Sequence, residues 1–455
     1  MQPIPSHTEG SILKSLVRMA FPIIMANILQ TMYQMIDTFW LGRLGANAVA
    51  SVSLSFPILF LVLSLGGGLT LAGTVMVSQY KGGGNQRMVN YSSSQTVMVI
   101  FLLSIILAFV GYYAARPLMQ LVGAGPEVLE DSVTYFQVSS WGFIFLFMFF
   151  VFQSLMRGIG DVIMPMYIVL ATVLLNLILD PLFIFGYGAI PGYGVAGAAM
   201  ASIATQGLSA LAGMIILFSG KRGITVSFSQ MKWDFSWVKR LFAMGIPSSL
   251  DQSSRAGAMT IMIMLVTHYS NDVVAAYGVG ARILSLVIVP ALGFSIATTS
   301  LVGQNFGAGK IERAEKVGNL SSLIALVGLS FVGMVLYLFA EPITAFFIPN
   351  DPEVIRDGAV FIKIMAPSFG LLGVQQVLSG VFNGVGLTKV SMLISVFALW
   401  VIRFPVAFML SNKTPLDYEG IWWAFPVSNA LAAVVAFAYY KTGSWKLGDK
   451  QIPAI

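Results

Sequence analysis

Asp37 and Asp180 each sit inside a long apolar run, LVRMAFPIIMANILQTMYQMIDTFWL for the first and VIMPMYIVLATVLLNLILDPLFIF for the second. A carboxylate in hydrocarbon is costly unless it is paired, protonated or wetted, so such a residue marks a functional site by default. Both acids lie close to the ends of their runs. Runs that cross in the same direction would bring the two to one level of a bilayer, which is the geometry of a proton or cation site. Gln30, Tyr33 and Asp37 fall at i, i+3 and i+7, and Thr172, Asn176 and Asp180 at i, i+4 and i+8, so each acid closes a polar helical face. The plainer alternative is that each acid bonds locally and only fixes helix packing. Two carboxylates crowded in a low dielectric do not both keep their charge, so one proton is expected to be shared or exchanged within the pair. Na⁺, a hard cation, would suit the oxygens of Asp37, Asn176, Asp180 and Thr172, and residue spacing does not separate the two ions. Pro22, in the inner part of the Asp37 run, removes a backbone hydrogen bond and permits either a moving hinge or a fixed kink.

The elements that must position these groups are membrane spans. The chain has 455 residues, 57% of them hydrophobic and 10% charged, a balance that excludes a soluble globular domain. It has no cysteine and two histidines, His7 and His268, so disulfides, thiolate metal centres and His-rich sites are excluded. The first ten residues are polar and carry no cleavable signal pattern. Twelve apolar runs are long enough to cross a bilayer. Seventeen Lys/Arg residues fall on one side of the resulting topology and four on the other. By the positive-inside rule both termini are cytoplasmic, in a multi-pass protein of the cell membrane. The excess of basic residues is thus a membrane bias, with no nucleic-acid partner implied. Asp37 and Asp180 then both fall in the outer half of the membrane.

Residues about 225 apart match. Pro22 aligns with Pro247, and VSQYKGGG (77–84) with VGQNFGAG (302–309). After one inserted residue Pro126-Glu127-Val128 aligns with Pro352-Glu353-Val354, Gly158 with Gly384, and Gly194 with Gly420. Each half holds an even number of spans, so the halves are parallel repeats about a pseudo-two-fold axis along the membrane normal, a plan used by alternating-access transporters. The expected fold is therefore an all-α membrane protein of twelve transmembrane helices in two six-helix lobes. Residues 1–219 form the first lobe, 220–239 a polar, basic cytoplasmic linker, and 240–455 the second lobe. The acids have no counterpart in the second half, where Met262 and Val406 take their places.

Asp251 and Arg255, at i and i+4, read as a self-neutralising ion pair. Arg282, Lys363 and Arg403 are cations inside second-half spans with no assignable role. GQNFGAGKI (303–311) resembles a phosphate loop, but its glycine spacing is wrong and Ile311 stands where a hydroxyl must hold Mg²⁺. No nucleophile–base pair or metal motif is visible, so the chain does not read as an enzyme. Transport by it would draw on an ion gradient, in which each charge entering is worth about 2.3 kcal/mol per 100 mV.

The run FPIIMANILQTMYQMIDTFWLGRLG resembles the first helix of multidrug and toxic compound extrusion (MATE) transporters, as do VSQYKGGGN, LMRGIGD, LNLILDPLFIFGYG, GVAGAAMAS and VGQNFGAGK. The resemblance covers nearly the whole chain. It implies a polyspecific exporter of cationic or amphipathic drugs that exchanges them for H⁺ or Na⁺, needs no other cofactor, and works as a monomer among membrane lipids. Acids confined to the first lobe resemble the DinF-like branch. Carried over, Pro22 is the bending point. Asp37, Asn176 and Asp180, with Thr172, form the proton or Na⁺ site, and a hydroxyl on the sixth helix, Ser202 or Thr205, joins them. Gln30, Met32, Tyr33 and Gln34 line the drug site. A lipid-linked saccharide flippase of the same superfamily is the alternative.

Overall fold

The computed structural model describes residues 7–188, 190–349 and 351–448, and among these nearly all regular structure is helical. The first half supplies α1 (Ile12–Leu44), α2 (Ala46–Gly82), α3 (Gln86–Leu121), α4 (Pro126–Ile159), α5 (Ile163–Phe185) and α6 (Gly194–Ser219). The second supplies α7 (Phe235–Val266), α8 (Asn271–Gly307), α9 (Ile311–Leu338) and the short α10 (Ala340–Phe347). After these come α11 (Pro352–Met365), α12 (Phe369–Gly384), α13 (Thr388–Val396), α14 (Phe404–Lys413) and α15 (Glu419–Lys441). Eleven stretches among the described residues are long and apolar enough to cross a membrane, counting α11–α12 and α13–α14 as one each. The twelfth span is α7, whose middle carries the polar run from Ser248 to Arg255. Between α13 and α14 the span passes through a π-helical stretch, Phe397–Arg403, which the sequence pattern does not reveal.

The internal repeat recurs in local structure at equivalent positions. Gly84 and Gly309 both turn the chain out of α2 and α8 with φ of 72°, a left-handed conformation open to glycine. The next amide closes each turn on an equivalent carbonyl, Asn85 on Tyr80 and Lys310 on Asn305. Thr74 donates to the Ser154 carbonyl at 3.0 Å, and its counterpart Thr299 donates to the Gly380 carbonyl at 3.1 Å. Such small-residue faces let helices approach closely, the usual way spans associate where lipid offers no hydrophobic drive.

The chain forms two compact units, Phe21–Ser249 and, among the described residues, His7–Ala20 with Leu250 onward. This division differs from the lobes expected from the repeat and its polar linker, 1–219 and 240–455 on either side of 220–239. The first half of α7 belongs to the first unit because it packs on glycines. A Cβ on Gly68 would lie 2.3 Å from the Ser249 nitrogen, and one on Gly245 would lie 2.9 Å from Leu69 Cα. Ser249 also donates to the Leu65 carbonyl at 3.1 Å. The second unit holds the start of the chain by hydrogen bonds instead: Arg313 donates to the carbonyls of Glu9 and Gly10, each at 3.0 Å. Helices α1 and α7 therefore each belong to both units, and each changes membership within a few residues of its proline, Pro22 or Pro247.

The linker is not a free tether. Gln95 of α3 donates to the carbonyls of Gln230 and Lys232, both at 2.7 Å, and the Tyr91 hydroxyl donates to Asp234 at 2.6 Å. That hydroxyl, with the Trp237 amide, holds the partly buried Asp234 carboxyl below the usual carboxylate range. Lys363 likewise is not a bare cation in hydrocarbon, since it reaches Glu341 of α10 at 2.8 Å.

Candidate functional site

Helices α5 and α6 form a closely packed pair in the first unit. Gly197 makes the approach possible: a Cβ there would lie 2.2 Å from the Phe183 carbonyl oxygen. Near this crossing, Asn176 and Asp180 of α5 are fully buried, and Asn176 donates to Asp180 at 2.7 Å. Asp37 of α1 faces the same place, within electrostatic range of Asp180. The two acids that stand 143 positions apart in sequence are neighbours in the fold (180 − 37 = 143).

Tyr33 fixes α1 to α6. It is buried, and its hydroxyl meets Ser202 at 2.9 Å and Thr205 at 3.1 Å, so both sixth-helix candidates belong to the assembly. Thr172 lies two turns before Asp180 on α5 and is engaged with Ser209 and the Ile168 carbonyl, outside the carboxyl cluster. Gln30, Met32 and Gln34 are exposed on α1 and do not join it. Two contributors escaped sequence reasoning. Tyr135 of α4 lies within electrostatic range of both acids. Ser209 extends a hydroxyl stripe along α6. The signal for each is helical spacing: Ser132, Tyr135 and Ser139 on α4, and Ser202, Thr205 and Ser209 on α6, all at i, i+3 and i+7.

The electrostatic state of the cluster follows from its unmet acceptors. Asp37 Oδ1, Asp180 Oδ2 and Asn176 Oδ1 are sealed from solvent and accept no hydrogen bond among the described residues. Buried acceptors left without a donor are expensive, and carboxylate oxygens most of all. Three such oxygens on two adjoining helices are a donor set for a proton or a small hard cation, chemically suited to H⁺ or Na⁺. No group of three or more His, Cys, Asp or Glu residues that could hold a metal ion occurs among the described residues, which leaves the carboxyl pair and its amide as the oxygen cluster.

The MatE family profile matches residues 22–182 and again 247–409, once in each half of the repeat. The chain belongs to the MATE family. Two relatives from Bacillus subtilis (strain 168) are similar over nearly their whole length. The probable multidrug resistance protein YpnP is 29% identical across 96% of this chain and 97% of its own. The probable multidrug resistance protein YoeA is 27% identical across 98% and 96%. A crystal structure described as MATE in the bent conformation superposes with a TM-score of 0.91, covering 97% of each chain at 24% identity, and it establishes the shared fold. This MATE protein is thus a twelve-helix membrane transporter in two lobes.

Removing one atom tests the link between α1 and α6 in this MATE protein. Tyr33→Phe is expected to lower stability by about 1 kcal/mol, the usual net worth of a hydrogen bond. Transport should fall several-fold as α1 loses its purchase on Ser202 and Thr205. Thermal unfolding and dye efflux read the two effects, and wild-type values for both would remove Tyr33 from the site.

Proposed function

We propose that this MATE protein exports amphipathic drugs in exchange for H⁺ or Na⁺ taken up at the Asp37–Asp180 pair. The observation that carries the reading is the set of three buried, donor-less oxygens shared between α1 and α5. A proton or cation entering there supplies what those oxygens lack and removes the repulsion between two adjoining carboxylates. Occupied and unoccupied states therefore favour different distances between α1 and α5. Pro22 is the point about which the outer half of α1 would bend, in keeping with its place where α1 passes from one compact unit to the other. Drug would be expelled outward as the pair loads. Both termini would be cytoplasmic, as the loop charges imply. The names of the Bacillus subtilis relatives support drugs as cargo. Membership in the MatE family supports export over the flipping of a lipid-linked saccharide. Acids in the first half alone support a DinF-like member.

The test is dye efflux from proteoliposomes under a pH gradient and a Na⁺ gradient imposed separately. One of the two should drive saturable efflux and the other should not. Flux that responds to neither gradient would refute the coupling, and flux that never saturates would point to a channel.

A further inference from the structure

A permanently charged group lies unneutralised at mid-span in the second unit. Arg403 stands 15 residues from the start of the Thr388–Lys413 span and 10 from its end (403 − 388 and 413 − 403). It closes the π-helical stretch, one residue before Phe404-Pro405. Pro405 has no N–H to offer the Val401 carbonyl, so an ordinary helix is interrupted there, and π turns inside helices gather at functional positions. The Arg403 guanidinium donates through Nε to Ser428 Oγ and through Nη2 to Asn429 Oδ1, each at 2.8 Å. Its carbon lies 4.6 Å from the centre of the Phe425 ring. Asn429 is held in turn by its own donation to Ser368 Oγ at 3.1 Å.

Every one of these partners is neutral. No carboxylate lies within ion-pairing distance of Arg403 among the described residues. The ionisable groups that it senses are Tyr277 and a second guanidinium, Arg255. Arg255 is already paired with Asp251, through Nε at 3.1 Å and Nη2 at 3.3 Å, and Nη2 also donates to Ser395 at 2.7 Å. The sum over Arg255, Asp251 and Arg403 is +1 − 1 + 1 = +1. A lone cation at this depth costs several kcal/mol, and positions that keep one are functional by default. Arg403, Arg255 and Asp251 are all only partly buried.

We propose that the second unit binds an anionic group, a carboxylate or phosphate, at Arg403, with Ser428 and Asn429 holding the guanidinium in place and Phe425 beside it. A planar guanidinium presents paired N–H donors to such groups and suits bidentate recognition. The favoured cargo is then a zwitterionic or anionic amphiphile rather than a purely cationic one. The proposal rests on the exporter reading for the word cargo only. Its test is equilibrium binding without any gradient, so failure of ion coupling would leave it standing.

The probes are a rhodamine bearing a free carboxylate and the methyl ester of the same dye, titrated by fluorescence anisotropy into the full chain in neutral detergent. The acid should bind about tenfold more tightly than the ester, roughly the discrimination of one charge-assisted hydrogen bond. Arg403→Gln should bring the ratio to about one by weakening the acid alone, and Arg403→Lys should keep part of it. Asn429→Asp places a carboxylate beside the intact guanidinium and should collapse the ratio too, which keeps the test alive if Arg403→Gln does not fold. Repeating the titration with added phosphatidylglycerol or phosphatidylcholine separates cargo from lipid headgroup. Competition by phosphatidylglycerol alone, lost in Arg403→Gln, assigns the site to headgroups as well. Equal affinity for acid and ester with no such competition, or a ratio that survives both variants, overturns the proposal.

Discussion

Replacing either acid of the pair by its amide, Asp37→Asn or Asp180→Asn, is expected to reduce gradient-driven efflux to the level of empty liposomes. The exchange is nearly isosteric, and an amide at position 180 would still offer an oxygen to the Asn176 side chain that now bonds Asp180 at 2.7 Å. Packing is therefore retained while the capacity to bind and release a charge is lost. Circular dichroism and the elution profile of the purified variants should match wild type. Drug binding measured without a gradient should persist, since no charge need move. Unimpaired efflux by either variant would remove that acid from the coupling step. Loss of binding as well as efflux would show that the pair holds cargo instead.

Gly197→Ala should be the most damaging single methyl group where α5 and α6 cross. The new Cβ would lie 2.2 Å from the Phe183 carbonyl oxygen and 2.5 Å from its carbon. Those are backbone atoms, so no rotamer change relieves the clash and α6 must move off α5. Overpacking of this kind costs about 1–3 kcal/mol. The displacement falls where α5 carries Asp180 and α6 carries the Ser202 that bonds Tyr33, so thermal stability and coupled efflux should fall together. Gly207→Ala on the same helix is the control, because its Cβ would touch Phe145 at an ordinary 3.7 Å. If Gly197→Ala unfolds at the same temperature as Gly207→Ala, close approach of α5 and α6 is not what builds the site.

Much of this arrangement was legible in the sequence, for reasons that mark its limits. Asp37 and Asp180 stand out because a charge in an apolar run is rare and expensive. The repeat stands out because glycine and proline do special backbone work, as Gly84 and Gly309 show by adopting the same left-handed turn. The bond from Tyr33 to Ser202 and Thr205 was only half visible. A tyrosine on the acid's face is conspicuous, but hydroxyls on α6 look the same whether they meet a partner or their own carbonyls. The exposed Gln30, Met32 and Gln34 share a helix with Tyr33, and sequence gives no measure of which flank of that helix is covered. The π-helical stretch before Pro405 leaves no periodicity to read. The assignment of early α1 and early α7 to opposite units depends on contacts between segments far apart in the chain, the glycine faces of α2 and α7 and the bonds from Arg313 to Glu9 and Gly10, which hydropathy does not encode.

That exchange of segments has a bearing on biogenesis. A ribosome that has released residue 219 has delivered six helices, yet Gly68 on α2 closes against Ser249, which is still untranslated. The earlier body thus stays open at one flank until translation of the later one is under way. The later body has its borrowed piece, residues 7–20, waiting from the start. Neither copy of the duplicated gene encodes a self-sufficient bundle, and insertion into the membrane must keep the unfinished flank covered in the interval.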